Sequence, residues 1–415
     1  MNRRRSIRLA ASPILLVALV LGAAAAQSRP EATRRPPARW FKGNTHTHTL
    51  WSDGDAAPEV VADWYRSHGY QFLVLSDHNV LSEDEKWMDV ADGPRSRLTP
   101  EQVDDLRRRF GADWPDERTV DGRRQMRLKT LKELRGRFEQ PGRFIFIQGE
   151  EITDSFQKLP VHLNGLNLQE LVPPQGGESV HDTIQRNIDA VIEQGERLSR
   201  PTLVHVNHPN FGWALTARDI ASIRGENFFE VYNGHPSVRN HGDADHPSTE
   251  RMWDIALTHR LKETGLGLLY CLATDDAHNH YAFGIGRANP GRGWIMVRSR
   301  KLDADSIIAA MKRGDFYAST GVIVDDFSRD DGKYMVRIRP EEGAAFITQF
   351  IGTRQGAEGE SAIGGVLLET TDNPAVYELT GDELYVRAKV ISSRYHPNPF
   401  AEGDHECAWL QPAVP

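Results

Sequence analysis

Hydrophobic positions follow different rhythms in successive parts of the chain. From residue 40 onward, short apolar runs occur at 72–76, 144–148, 202–205, 228–232 and 268–273. Each is bounded by polar residues or glycine and reads as a buried strand. Between them lie helix-spaced patterns at 58–67, 179–194 and 248–264. Short buried strands alternating with helices predict a parallel α/β sheet, closed as a barrel. The stretch 79–142 breaks this alternation: it is strongly charged and helical in character, with Thr99 as a cap before a helix over 101–110. It reads as a solvated helical insertion or, because it begins immediately after His78, as a lid. After Gly321 the period changes to that of strands, at 333–339, 345–351 and 383–391, with little helix. This predicts a small antiparallel β domain over 322–415, of roughly 90 residues.

The first residues have a different character. Arg3, Arg4, Arg5 and Arg8 precede a short apolar run over 14–21, and Ala24, Ala25 and Ala26 supply the small residues of a cleavage site. This is the pattern of a signal peptide over 1–26, with Gln27 as the first mature residue and a periplasmic or secreted destination. The apolar run is short for a membrane span of ~20 residues and contains Pro13, so no stable span is expected in the mature protein. The route, general secretory or twin-arginine, stays open. Residues 27–39, rich in Arg and Pro, read as a linker to a main domain over 40–321.

Losing the leader removes four arginines and no acid, so a net charge of −8 becomes −12. An acidic surface repels phosphate backbones, which argues against general nucleic-acid binding. The two cysteines, Cys271 and Cys407, form no paired motif and are poor candidates for metal ligation.

Fourteen of the sixteen histidines lie between His46 and His280, several at the ends of predicted strands. In α/β barrels the reactive groups gather at those ends. In Asn44-Thr45-His46-Thr47-His48 the two imidazoles are spaced i, i+2 and share one side of a strand, so both can face one ion. Ser52-Asp53-Gly54 follows, from which Asp53 can reach back. Later strand ends carry Ser76-Asp77-His78, Gly149-Glu150-Glu151-Ile152 with His162 beyond it, Val206-Asn207-His208-Pro209, and Thr274-Asp275-Asp276-Ala277-His278. Two choices stay open within these motifs. Glu150 competes with Glu151, which the Gly-x-Glu spacing favours, and Asp275 competes with Asp276, which alone shares a strand face with His278.

Taken in order, these motifs resemble those of the PHP superfamily, named for polymerase and histidinol phosphatase domains. The resemblance runs from about residue 40 to 321. The phrases GNTHTHTLWSDG, GYQFLVLSDHN, NHPNFGW, EVYNGH and ATDDAHNH are similar to the carbaryl-hydrolase-like branch. The resemblance implies a distorted (β/α)7 barrel holding two or three divalent ions such as zinc, manganese or iron. Carried over, the metal ligands are His46, His48, Asp53, His78, Glu151, His162, His208, Asp276 and His278. The resemblance pairs His46 and His48 with Asp276, and lets Glu151 bridge to a second ion on His162 and His208. A third ion then falls to Asp53, His78 and His278. Glu151, Asp276 and His278 are the residues placed at the chemistry.

Such a centre implies a hydrolase that uses a metal-activated hydroxide on a small-molecule substrate. Three ligand carboxylates leave a three-ion site positive, which favours an anionic phosphoester. A two-ion site is neutral once hydroxide is counted, and it suits a carbamate or carboxylic ester equally well. A non-catalytic metal-dependent binding protein is the alternative of another class, with an unassigned partner for the β domain. Among the other polar residues, His205 is expected to pack beneath the site or orient a ligand. Asp77 and Asn207 are expected to be structural, and Glu230 to point near the rim. His235, His241 and His246 are expected in a solvated loop, Arg287 or Lys158 as anion contacts, and Trp213 at the mouth or packed.

Overall fold

The structure is a computed structural model, and it describes residues 37–93 and 96–415. The expected leader 1–26 and the linker up to residue 36 lie outside the described residues. One mixed sheet of 13 strands runs through the molecule. Its order is Tyr270–Thr274, Phe228–Asn233, Leu203–Val206, Leu159–Leu166, Ile145–Phe156, Phe72–Leu75, Arg39–Asn44, Trp294–Ser299, Phe316–Ser319, His405–Ala413, Glu383–Tyr395, Phe346–Arg354 and Gly365–Thr370. Among the described residues no helix is long and apolar enough to cross a membrane.

The expected run of parallel strands holds only in part. Arg39–Asn44 pairs parallel with Phe72–Leu75, which pairs parallel with Ile145–Phe156; Phe228–Asn233 is parallel to both its neighbours. Leu159–Leu166, however, is antiparallel to the strands on either side. The cause is local. Gln157 and Lys158 both adopt positive φ, which makes a two-residue hairpin, and a hairpin without a crossover helix can only return antiparallel. The first and seventh strands from Arg39 to Thr274 meet beyond their ends, where Thr47 bridges Ala277. There the His48 N–H donates to the Ala277 carbonyl and the Asp276 N–H to that of His46, both at 2.9 Å. The sheet thus curls so that the predicted ligand segments face one another.

Helices Pro58–Ser67, Val180–Arg197, Thr249–His259 and Ala304–Lys312 flank the sheet. The hydroxyls of Ser179 and Ser248 cap two of them by accepting backbone N–H groups. The pattern expected as helix to residue 264 is α-helical only to His259. It then widens into a π turn that ends on Gly265 at φ 65°.

The insertion is not purely helical. Thr99 does cap the helix Pro100–Phe110 with a capping box, and a second helix spans Leu131–Phe138. The insertion also contains a three-stranded sheet of Trp87–Asp89, Arg123–Arg127 and Asp116–Val120. Asp121-Gly122, both at positive φ, turns the central hairpin, and charged side chains pair across it. The insertion packs on the loop that follows His48: Arg97 donates to the Gly54 carbonyl at 3.0 Å, and Gln102 to that of Asp55 at 2.9 Å.

The strands beyond Gly321 pair antiparallel with one another and surround their own apolar cluster, which includes Phe327, Tyr334, Phe350 and Leu410. They are also continuous with the main sheet, because His405–Ala413 pairs with Phe316–Ser319.

Candidate metal centre

Most of the predicted ligands sit just beyond a strand end. His46 and His48 follow Arg39–Asn44 and His78 follows Phe72–Leu75, whereas Glu151 and His162 lie within the two strands of the hairpin as diagonal neighbours. Gly149 lets that hairpin close: a Cβ there would stand 2.5 Å from the Gly165 carbonyl oxygen. Gly54 plays the same part in the Asp53 loop, where a Cβ would lie 2.7 Å from the His48 carbonyl. That loop is held by Asp77, whose carboxylate accepts from the Thr49 and Ser52 N–H groups at 2.8 and 2.9 Å and from both hydroxyls.

All nine predicted ligands come together. Their donor atoms form four overlapping groups, within each of which all atoms lie within 4.8 Å of one another. The groups are His48, Asp53, His78 and His278; His46, His208 and Asp276; His46, His48 and Glu151; and His78, Glu151 and His162. His208 therefore shares a group with His46 and Asp276, besides lying 3.1 Å from Glu151. Glu151 is central. Its Oε1 lies 3.1 Å from His162 Nδ1 and 3.4 Å from His46 Nε2, and its Oε2 lies 2.7 Å from His78 Nδ1 and 3.5 Å from His48 Nε2.

The open choices are decided by where the side chains turn. Glu150 faces away from the cluster and accepts the Val172 N–H at 2.7 Å. Asp275 accepts from Tyr65, from Asn44 and from the Arg292 and Gly293 N–H groups. Asp276 turns inward, 3.3 Å from His46 and 3.2 Å from His48. Its φ of 47° and the 23° of His208 lie in a region that side chains rarely occupy. Such strain persists only where the surroundings over-determine it.

Electrostatics show a cluster short of positive charge. Burial would lower the His46 imidazole, but the carboxylates of Asp276, Glu230 and Glu151 outweigh it and raise it well above the ordinary value. Burial likewise opposes His78, yet the carboxylates of Asp53 and Glu151 beside it lift it to about 10. His48 goes the other way, to about 4, through burial and the charge of His278. Glu151 and Asp276 are held well below the carboxylate range; burial opposes this, and the surrounding histidines prevail.

Several residues outside the predicted ligand set support it. Asn207 donates to Glu151 Oε1 at 2.9 Å and to Asn164 at 2.8 Å, which in turn donates to the Thr45 carbonyl. Glu230 lies beneath the ligands rather than at the rim, wholly buried, with Oε1 2.7 Å from His46 Nδ1. Its signal was a carboxylate inside the otherwise apolar run Phe228-Phe229-Glu230-Val231, since a buried charge requires partners. His205 packs under the site without a hydrogen bond, 3.9 Å from Glu230. Burial pushes its imidazole down to about 4.

The loop histidines do not behave alike. His235 is drawn to the rim, its ring 5.2 Å from that of His278, because its N–H donates to Asn233 Oδ1. His241 pairs with Asp404 at 3.0 Å, and His246 stacks on Trp213 at 4.1 Å, so Trp213 is packed. Lys158 and Arg287 are exposed.

No protein-family model matches this chain. No curated protein matches it either. Among solved structures it is similar to a two-domain protein from Bacteroides vulgatus carrying a predicted PHP-like metal-dependent phosphoesterase, at 14% identity and a TM-score of 0.38, covering 90% of this chain and 95% of that one. It is also similar to a Bifidobacterium adolescentis protein proposed to be a metal-dependent phosphoesterase, at 14% identity and TM-score 0.32, over 67% of this chain and 97% of the other. An amidohydrolase from Chromobacterium violaceum, with bound sulfate and no metal, matches at 15% identity and TM-score 0.29, over 57% and 87%. At these scores the likenesses decide neither the family nor the chemistry of this chain.

Proposed function

We propose that this chain is a divalent-metal-dependent hydrolase of the PHP type, its curled sheet a distorted (β/α)7 barrel, acting on a phosphoester. The observation that carries the reading is the set of unpartnered atoms at the centre of the cluster. His46 Nε2, His48 Nε2 and Glu151 Oε2 are buried, point inward and lack a hydrogen bond. Buried polar atoms are almost always satisfied, so a concentration of orphans amid nitrogen and carboxylate donors fits cations. His46, His208 and Asp276 would hold one ion, His48, Asp53, His78 and His278 another, and Glu151 with His162 would join them.

Divalent ions there would lower the pKa of a bound water towards neutrality and offset charge developing on the attacked group. The chain's own residues set the rest. Glu151 spans the cluster with both oxygens, and Asn207 fixes its rotamer. At the rim, His235 Nδ1 accepts the Ser237 N–H at 3.1 Å, so the ring's Nε2 carries the proton as a donor for a substrate oxygen. Glu230 changes the charge count made on three carboxylates. Four carboxylates against three divalent ions leave the site positive, which suits a phosphate ester. Against two ions, with the hydroxide counted, the site is left one charge negative, and the same centre then suits an uncharged carbamate or carboxylic ester.

The deciding experiment is elemental analysis of the purified mature protein, alongside turnover of a phosphodiester, a phosphomonoester and an aryl carbamate. Two or more tightly held ions with preference for a phosphoester support the proposal. Absence of bound metal, or turnover of the carbamate alone, overturns it. We also take the chain to be exported, on the character of residues 1–26; terminal sequencing that finds Gln27 first supports this, and an intact Met1 opposes it.

A further inference from the structure

We propose that Glu230 is the positioning residue for one particular ion, the one that His46, His208 and Asp276 would share. The inference rests on the metal-centre reading above. Its basis is the way one buried carboxylate reaches all three ligands of that group and none of the others. Glu230 Oε1 accepts from His46 Nδ1 at 2.7 Å and from the Thr274 hydroxyl at 2.8 Å. Oε2 accepts the His208 N–H at 2.8 Å and the Asn233 amide at 2.8 Å. The same Asn233 nitrogen donates to Asp276 Oδ2 at 3.1 Å.

Each contact governs a different degree of freedom. A carboxylate at Nδ1 keeps the proton of neutral His46 on that nitrogen. Nε2, which faces Asp276 Oδ1 at 3.3 Å and lacks a hydrogen bond, is then left as the lone-pair donor. The bond to the His208 N–H holds a peptide whose φ of 23° would otherwise relax and swing the imidazole away. The amide of Asn233 extends the hold to Asp276, the other ligand with left-handed backbone. Thr274 sits two residues before Asp276 and anchors the same strand end to Glu230.

The chemistry requires a carboxylate. Four donors converge on two oxygens, two to each. A glutamine of the same shape offers one acceptor oxygen and turns an NH2 group toward two donors. If the NH2 faces His46, the imidazole must move its proton to Nε2, the nitrogen needed for the ion. If it faces His208, the strained N–H loses its partner. Both arrangements damage the same three-ligand group. The group of His48, Asp53, His78 and His278 has no bond to Glu230 and should be spared.

The test uses the full mature chain, stripped by chelation and reloaded with Zn2+ in equilibrium dialysis, with bound ions counted by elemental analysis. For Glu230→Gln, one equivalent should bind ~10–100-fold more weakly while the remainder binds as in the parent. Thr274→Val, which keeps the carboxylate and removes one donor, should weaken the same equivalent by a few-fold. Parental stoichiometry and affinity in Glu230→Gln overturn the proposal. So does an equal loss at every position, which is what a merely structural role would produce. A parent chain that takes up no Zn2+ overturns the metal-centre reading itself, a result distinct from either. Should Glu230→Gln fail to fold, an unchanged Zn2+ isotherm for Thr274→Val overturns the proposal.

Discussion

Two clusters of buried charge in this molecule are built from similar parts and end differently. In one, Glu250 and Asp254 stand i, i+4 on the helix Thr249–His259 and meet Arg387 and Lys389, spaced i, i+2 on Glu383–Tyr395. Arg387 grips both Asp254 oxygens at 2.7 Å and reaches Glu250 at 3.1 Å, and Lys389 meets Glu250 at 2.7 Å. Tyr385 and Trp409 donate to the remaining lone pairs. Two acids meet two bases, and none of these side chains leaves an orphaned atom. The candidate metal cluster has four carboxylates and six histidines, and no lysine or arginine among its salt bridges. It has orphans at its centre and strained backbone at His208 and Asp276. A closed network is a finished structural joint. An open one, with ligands facing a shared gap, is arranged for something else to complete it.

The sharpest way to break this contrast is to open the closed network. Arg387→Met keeps most of the volume but leaves buried Asp254 without its cation and Glu250 with Lys389 alone. Removing one partner of a buried pair costs roughly 3–5 kcal/mol. Urea unfolding should show a loss of that size, while the metal complement stays at the parental level. A loss below ~1 kcal/mol, against that expectation, would mean that the joint is not structural.

The converse experiment alters the open cluster. Glu151→Gln removes charge from the residue that faces five histidines' worth of donors, so metal occupancy and turnover should both fall. Supporting contacts alone carry 10–100-fold effects, and this residue should reach ~10²-fold or more in turnover. The metal-free variant should unfold within ~1 kcal/mol of the metal-free parent, well short of the loss expected for a broken buried pair. Full metal with full turnover would show that the centre has been misplaced.

This contrast also explains what could be read along the chain. That these nine side chains gather was expected from the order of the motifs and the resemblance they carry, with spacing adding its own sign: His46 and His48 stand two apart, Asp276 and His278 likewise. The helix over 101–110 was legible through the side chain of Thr99. Features decided by tertiary pairing were hidden. The hairpin at Gln157-Lys158 carries no glycine, so nothing local announces that Leu159–Leu166 returns antiparallel. The strands of the insertion are charged on both faces, so the alternation that marks a half-buried strand is missing. Arg387 and Asp254 are 133 residues apart, and neither carries a local sign of its partner.

Acid should separate the two clusters as well. Burial opposes ionisation of Glu250, but Lys389 and Arg387 overcome it and hold the carboxyl down at about 2. A depressed folded value means that the stabilisation is present above the unfolded value near 4.5 and is lost as pH falls towards 2. Glu250→Gln should therefore cost roughly 2 kcal/mol at neutral pH, after allowance for partial solvent screening. The deficit should shrink steadily between about pH 4.5 and 2. Unfolding midpoints across that range check it, and a deficit independent of pH would assign the effect to packing instead.

The smallest expected effect lies at the edge of the open cluster, where structure and chemistry can be told apart most finely. His235 is not bonded to any carboxylate of the centre, and its Nδ1 is engaged by the Ser237 N–H. Its ring stands 5.2 Å from His278 and 6.4 Å from Phe211, at the opening rather than beneath the ligands. Deleting it should leave metal content and unfolding midpoint at parental values. What disappears is one N–H donor to the substrate, and a single such bond corresponds to about tenfold in kcat/KM. His235→Gln, whose amide can also donate, should recover part of that loss, whereas His235→Ala and His235→Phe should not. Metal loss in all three variants would place His235 among the ligands. Unchanged kcat/KM in all three would remove it from the reaction and leave the rim as packing.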